Sequence, residues 1–304
     1  RFVPIITEGV VSHVMVFSTD TTIRKRAELE LANTLLQLEN RVKERTKELT
    51  DKNISILDSI KYAKRIQVGL LTSPSQLIEI FPKSFLISLP RDIVSGDFFW
   101  SHQQHHKKFI VVADCTGHGV PGALMSVIGN NLLDQIIVNE QVEDPSEILQ
   151  LLDIRLKQAV RNDRDEVKDG MDLTLCVVDT YKNEIQFAGA NNSLYCTDPD
   201  QKIHEIPADR IPIGGMALEE KKCFKTKKFT YVPGQRMYLS SDGYYSQFGG
   251  SKGKKFMRSQ FINTLDELQT YPIDKQKELL MRVFIEWKSG TEQVDDVLVI
   301  GIEL

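Results

Sequence analysis

Phe109-Ile110-Val111-Val112-Ala113-Asp114-Cys115-Thr116-Gly117-His118-Gly119-Val120-Pro121-Gly122-Ala123 reads as a strand, a glycine-bearing turn and the opening of a helix. The apolar run Phe109 to Ala113 has the pattern of a buried strand. It delivers Asp114 to a turn where Gly117 and Gly119 let backbone approach a ligand and expose its carbonyls. Pro121 suits the first turn of a helix. A carboxylate beside an available carbonyl is the hard-oxygen ligand set of Mg²⁺ or Mn²⁺. Asp242 repeats the design after Met237-Tyr238-Leu239-Ser240-Ser241, followed by Gly243. Asp295 opens the final apolar run, and Asp97 lies in Ser95-Gly96-Asp97-Phe98-Phe99. Asp before Gly is a common turn dipeptide, so each aspartate taken alone reads first as a turn residue. Together they form a like-charged cluster only if the fold brings them together, and such a cluster calls for a divalent cation.

Outward from that stretch, short strands are expected at 84–89, 108–113, 173–179, 184–189, 193–197, 224–231, 236–241 and 296–303. Helices are expected from Pro121 to Val138, Pro145 to Arg161 and Ile273 to Trp287, with Pro121 and Pro145 in first turns. Neighbouring strands with grouped helices predict an α+β fold of layered antiparallel sheets covered by helices, not a regular βαβ fold. Gln103-Gln104-His105-His106-Lys107-Lys108 reads as a polar hairpin and not as a metal site.

Upstream, Val10 to Phe17 alternates like a strand, and Ser18-Thr19-Asp20-Thr21-Thr22 supplies N-cap candidates. From Ile23 to Leu71 the pattern is helical, without Pro. Leu31, Leu35, Leu38, Val42, Leu49 and Ile56 fall at heptad spacing, interrupted by Arg45 and Lys52. After Ile56 the spacing shifts to Ile60, Ala63 and Gln67, a stutter. A stripe this long predicts a parallel dimeric coiled coil over 23–71, and so a homodimer. Thr72-Ser73-Pro74 breaks the helix.

The 304 residues are 41% hydrophobic and 26% charged, ordinary for a globular chain. The formal net charge of −4 argues against a nucleic-acid partner. No apolar run approaches the ~20 residues of a membrane span, and no signal-peptide pattern is present. The first residue is Arg1, as expected of a piece of a longer protein. Cys115, Cys176, Cys196 and Cys223 form no C-x-x-C pair and read as buried reduced thiols of a cytoplasmic protein.

The motifs combine into a resemblance. Residues 78–304 resemble the SpoIIE-like branch of the metal-dependent PPM (protein phosphatase 2C type) serine/threonine phosphatases. The matching stretches are Ser95 to Trp100, Ala113 to Ala123, Gly170-Met171-Asp172-Leu173-Thr174, Ala188 to Asn192, Leu239 to Tyr244, Gln247 to Gly250 and Asp295-Asp296, in the family's order. Ser59 to Gln67 resembles the helix that precedes this domain in sensor-coupled members, and 1–22 resembles the tail of a PAS sensor domain.

The resemblance implies a pair of antiparallel sheets flanked by helices, with two Mn²⁺ or Mg²⁺ ions at one end. It implies that Asp114 bridges the ions, that the Cys115 carbonyl and Asp97 complete one position, and that Asp242 and Asp295 complete the other. Asp296 is the second choice of its pair. Ser246 and Leu298 depart from residues common in relatives. Arg91 is a candidate for the substrate phosphate, Asp172 for supporting the site, and His118 for either proton donation or loop packing. Lys252, Lys254 and Lys255 read as a solvated loop or as contacts for an acidic partner. The expected activity is hydrolysis of phosphoserine or phosphothreonine on a regulatory partner, such as a STAS-type anti-sigma antagonist, under control of the helix. A catalytically silent phosphoprotein-binding or dimerising module is the alternative.

Overall fold

The computed structural model describes residues 1–160, 169–215 and 222–304, in two compact units, 1–59 and 60–304. The smaller unit holds an antiparallel hairpin of β1 (Phe2–Thr7) and β2 (Val10–Val16), with a register shift at Ile5/Ile6. It also holds most of α1 (Thr22–Leu70), one continuous helix. The Asp20 carboxylate accepts the Thr22 N–H at 2.9 Å, satisfying a donor at the helix start. The stripe residues Leu31, Leu35, Leu38, Val42, Leu49 and Ile56 are all exposed.

In the larger unit α2 (Pro74–Ile80) follows the break, capped by Ser73, whose hydroxyl accepts the Gln76 N–H. Then come β3 (Ser84–Leu89), β4 (Phe98–Gln104), β5 (Lys107–Cys115), α3 (Gly119–Leu133) and α4 (Pro145–Ala159). A π-helical turn, Asp134–Asn139, lies between the two helices. The strands β6 (Gly170–Asp179), β7 (Glu184–Ala190), β8 (Leu194–Thr197), β9 (Ile203–Ile206), β10 (Ile213–Gly214), β11 (Lys227–Thr230) and β12 (Arg236–Ser240) follow. The chain closes with α5 (Gly243–Ser246), β13 (Phe248–Gly249), β14 (Lys254–Lys255), α6 (Arg258–Glu267), α7 (Ile273–Lys288) and β15 (Val297–Glu303).

Two sheets pack face to face. One has the order β11-β7-β6-β5-β4, with β10 on the end of β6; the other has the order β3-β15-β12-β8-β9. Every pairing between these strands is antiparallel. β5 explains the layering. Its side chains alternate across the sheet, so Phe109, Val111 and Ala113 join the core under α3 and α4. Ile110 and Val112 join the core between the sheets, against Leu239, Leu298 and Ile300. A third core packs α6 and α7 on the far sheet, around Tyr238, Tyr244, Phe261 and Phe284. A strand buried on both faces is a continuous apolar run, as the sequence of β5 is.

Several elements differ from the expectations. β1, β4, β9, β10, β13, β14, α2, α5 and α6 were not anticipated. The helix expected to Val138 ends as α-helix at Leu133 and continues as a π turn. The expected end of α4 at Arg161 lies outside the described residues. Cys115, Cys176 and Cys196 are buried, but Cys223 is exposed. Among the described residues no helix is long and apolar enough to cross a membrane.

Candidate active site

Strand direction brings the aspartates to one end of the sandwich. β4 begins where its antiparallel neighbour β5 ends, with Phe98 opposite Ala113. That places Asp97 beside Asp114. On the facing sheet β12 ends where β15 begins, with Ser240 opposite Val299, so Asp242 and Asp295 share that same end. Asp172 stands directly across from Asp114 in the β5–β6 register. Asp114, Cys115, Thr116, Gly117, His118, Asp172, Asp242 and Asp295 line one cavity of about 350 Å³.

Two close approaches hold these loops together. A Cβ on Gly122 would sit 2.2 Å from the Gly117 carbonyl oxygen, so the turn after Asp114 closes only over a glycine. A Cβ on Gly243 would sit 1.8 Å from the Asp296 carbonyl oxygen. The glycine after Asp242 is therefore what lets the Asp242 and Asp295 loops touch.

The electrostatics are those of crowded like charges. Burial first, then the Asp242, Asp295 and Asp172 carboxylates, push Asp114 up to about 8, against a backbone hydrogen bond from Asp242. Burial and Asp114 push Asp97 well above the usual carboxylate range, against the Ser241 hydroxyl. Asp295 is raised by burial and by Asp242 and Asp296, with the Arg91 charge opposing. Asp172 is raised by burial and Asp242, while Asn191 donates to it at 2.9 Å. Asp97 Oδ2 is enclosed and accepts no hydrogen bond. Hard-oxygen donors, one of them unsatisfied, and mutual repulsion fit a divalent cation in chemistry. Among the described residues no three such side chains stand close enough to hold an ion as they are.

Other expected residues fall into place around the cavity. Asp296 takes the Arg91 N–H and the Gly96 N–H, both at 2.7 Å, on its two oxygens. It is spent on bracing the loop that carries Asp97. Arg91 is exposed and does not line the cavity, though its charge reaches Asp295. His118 Nδ1 lies 2.8 Å from Asp92 Oδ2 at the cavity wall. The Ser246 hydroxyl donates to Asp242 Oδ2 at 2.9 Å, and Leu298 is a core side chain. Burial pushes the Cys115 thiol well up, which leaves its carbonyl as the useful donor there.

One residue that braces the site was read in the sequence only as a stutter position and as the end of the stretch resembling the preceding helix. Gln67, in the last turn of α1, is buried. Its amide nitrogen donates to Ser95 O at 2.6 Å and to Ser126 Oγ at 3.0 Å, and its oxygen accepts the Ser95 N–H at 3.3 Å. Ser95 begins the Asp97 loop, and Ser126 lies in α3, just after the Asp114 turn. A glutamine at an apolar-stripe position was the available signal, but its partners are distant in sequence.

The family described as Stage II sporulation protein E (SpoIIE) matches residues 104–304. Among solved structures, the SiaA-PP2C domain of Pseudomonas aeruginosa is similar at 30% identity and TM-score 0.75, over 83% of this chain and 98% of that one. The PP2C phosphatase domain and regulatory fragment of SpoIIE from Bacillus subtilis superposes at TM-score 0.57 and 17% identity, over 73% of this chain and 63% of that one. The RsbU and RsbW domains of a Mycobacterium tuberculosis protein superpose at TM-score 0.59 and 17% identity, over 73% and 60%. These last two speak to the fold alone. Among curated protein sequences, none matches the chain.

Proposed function

The chain belongs to the SpoIIE family of PP2C-type phosphatases, and from that premise we propose that it is a metal-dependent protein serine/threonine phosphatase. The observation that carries this reading is the meeting of Asp114, Asp242 and Asp295 in one cavity, with the Asp97 carboxylate beside Asp114 and repelled by it. Two Mn²⁺ or Mg²⁺ ions would be held by Asp114 between them, by Asp97 and the Cys115 carbonyl at one position, and by Asp242 and Asp295 at the other. Such a pair, when bound, supplies a water of lowered pKa and offsets charge on the phosphoryl oxygens. The chain's own groups do the rest. Asp296 fixes the Asp97 loop through two backbone N–H groups, and Asn191 orients Asp172. Arg91 brings positive charge to the side of Asp295, where a phosphate would enter. Hydrolysis by activated water asks for no protein nucleophile, in keeping with the elevated Cys115 thiol.

The substrate class is phosphoserine or phosphothreonine on a regulatory protein, with a STAS-type partner as the candidate. Control runs through α1. Its exposed stripe supports pairing with a second copy as a parallel coiled coil. The last turn of α1 carries Gln67, so a change in that turn reaches Ser95 and the Asp97 loop.

The test is hydrolysis of p-nitrophenyl phosphate with and without Mn²⁺, for the chain and for Asp114→Asn. Mn²⁺-dependent turnover abolished by the substitution is expected. No turnover with Mn²⁺ or Mg²⁺ in any form of the chain, including one starting near Ile78, would instead favour a silent phosphoprotein-binding module.

A further inference from the structure

The β13–β14 hairpin has no part in the chemistry above, yet it is built onto the rim of the cavity. Gln247, at its base, is fully buried. The Gln247 amide donates to Glu292 O at 2.9 Å and accepts the Val294 N–H at 3.1 Å, in the segment that leads into Asp295. Gly250 N–H donates to Trp287 O at 2.7 Å. On its other flank the hairpin is joined to Asp242 by α5. Four helical residues at ~1.5 Å each and two extended ones at ~3.5 Å put Phe248 within about 13 Å of Asp242.

What the hairpin shows to solvent is distinctive. Lys252, Lys254 and Lys255 are exposed, and none has an ion-pair partner among the described residues. Phe248 and Met257 flank them, 47% and 56% exposed. Met257 sits at φ 73 and ψ 144, a region that side chains with a Cβ avoid. The Met257 N–H is tied to the Tyr245 carbonyl at 2.9 Å, so the fold itself imposes this conformation and keeps the thioether outside. The result is three unpaired ammonium groups with two exposed apolar side chains, on a chain of net charge −4 and next to an acidic cavity.

We propose that this hairpin docks an acidic surface of the phosphoprotein whose phosphate enters the cavity. The proposal rests on the phosphatase reading. A protein interface of ordinary size covers about 800 Å² per partner, a disc of roughly 16 Å radius. A folded substrate centred on the cavity therefore lies over the hairpin. The surroundings of the site repel an acidic partner in general, and the lysines reverse that locally. They favour one orientation and speed encounter more than they add affinity. Phe248 and Met257 supply the apolar contact that water leaves open.

The experiment uses two phosphoserine peptides of equal length, one flanked by Asp and Glu and one by Lys and Arg. Their binding to the full chain is followed by fluorescence anisotropy at low and high salt, and their kcat/KM is measured alongside. The variant is Lys252→Glu, Lys254→Glu and Lys255→Glu together, with Lys→Gln at the same positions as a milder companion. At low salt the chain is expected to bind the acidic peptide about tenfold tighter, equivalent to ~1.4 kcal/mol. The Glu variant should invert the preference, the Gln variant should abolish it, and p-nitrophenyl phosphate turnover should stay within about twofold. Equal binding of the two peptides, or an unchanged preference in both variants, overturns the proposal. A chain that hydrolyses nothing refutes the phosphatase reading, and anisotropy still decides the hairpin.

Discussion

Replacing Gln67 by Leu keeps a side chain of similar bulk and removes three hydrogen bonds: 2.6 Å to Ser95 O, 3.0 Å to Ser126 Oγ and 3.3 Å from Ser95 N. Ser95 is buried, so its N–H is left with no partner and its carbonyl with only a 3.4 Å contact to Ser126 Oγ. An unsatisfied buried group costs ~1–3 kcal/mol; two such groups make the expected loss about 2–6 kcal/mol. For a unit of this size the melting temperature should fall by roughly 4–12 °C. The informative readout is the metal. Ser95 is two residues from Asp97, so part of that loss falls on a ligand position. If about 1.4 kcal/mol is felt there, half-saturating Mn²⁺ rises about tenfold. The assay is Mn²⁺ titration of p-nitrophenyl phosphate turnover beside thermal melting. Gln276→Leu is the control. Gln276 is a buried residue of α7 that accepts the Tyr238 hydroxyl at 2.7 Å, and its side-chain hydrogen bonds go to Tyr238, Leu268 and Tyr271, none in the Asp97 loop. It should lower the melting temperature without moving the Mn²⁺ midpoint. If Gln67→Leu melts early and binds Mn²⁺ as before, or if both variants shift it equally, the link from α1 to the site is wrong.

Gly243→Ala places a Cβ 1.8 Å from the Asp296 carbonyl, so the loops must part by about 1.5 Å to restore contact distance. We expect a cost of ~1–3 kcal/mol and at least a tenfold drop in Mn²⁺-dependent turnover; near-normal kinetics would contradict the close-approach argument. Asp114 is raised from 3.8 to about 8 in the folded chain, so the folded state holds that proton more tightly than the unfolded one. The stability this contributes is fully present below about pH 4 and lost as pH rises through about 8. In chelator, the melting temperature should therefore fall between pH 6 and pH 9, and Asp114→Asn should flatten the slope; a slope unchanged by Asp114→Asn is the contrary result. Leu35→Asp with Leu38→Asp should abolish self-association in sedimentation, because both side chains lie exposed on the α1 stripe; a wild-type chain that is already monomeric at high concentration removes the basis for helix-borne control.

The layered α+β architecture was legible because β5, β6, β12 and β15 are apolar runs whose period shows within a few residues. The polar hairpin read at Gln103 to Lys108 is there, pairing Gln104 with Lys107, but the strand β4 leading into it escaped because its aromatic start was read with the Asp97 motif. α2 and α6 escaped because each is short and begins beside a break, at Pro74 and after the strained Met257. The order of the motifs around Asp97, Asp114, Asp242 and Asp295 was enough to place the chain in its family.

Local pattern, then, determined which residues form strands, which turns carry carboxylates, and that α1 has an apolar stripe. Tertiary structure alone decided what each polar group spends its hydrogen bonds on. Gln67 meets Ser95 and Ser126 across 28 and 59 residues, and Asp296 meets Gly96 across 200. No periodicity within one element encodes such a partner. It is set when packed sheets bring loop ends together and burial forces every enclosed donor and acceptor to find a mate. The same convergence turned four aspartates that each read as turn residues into one crowded, like-charged cluster.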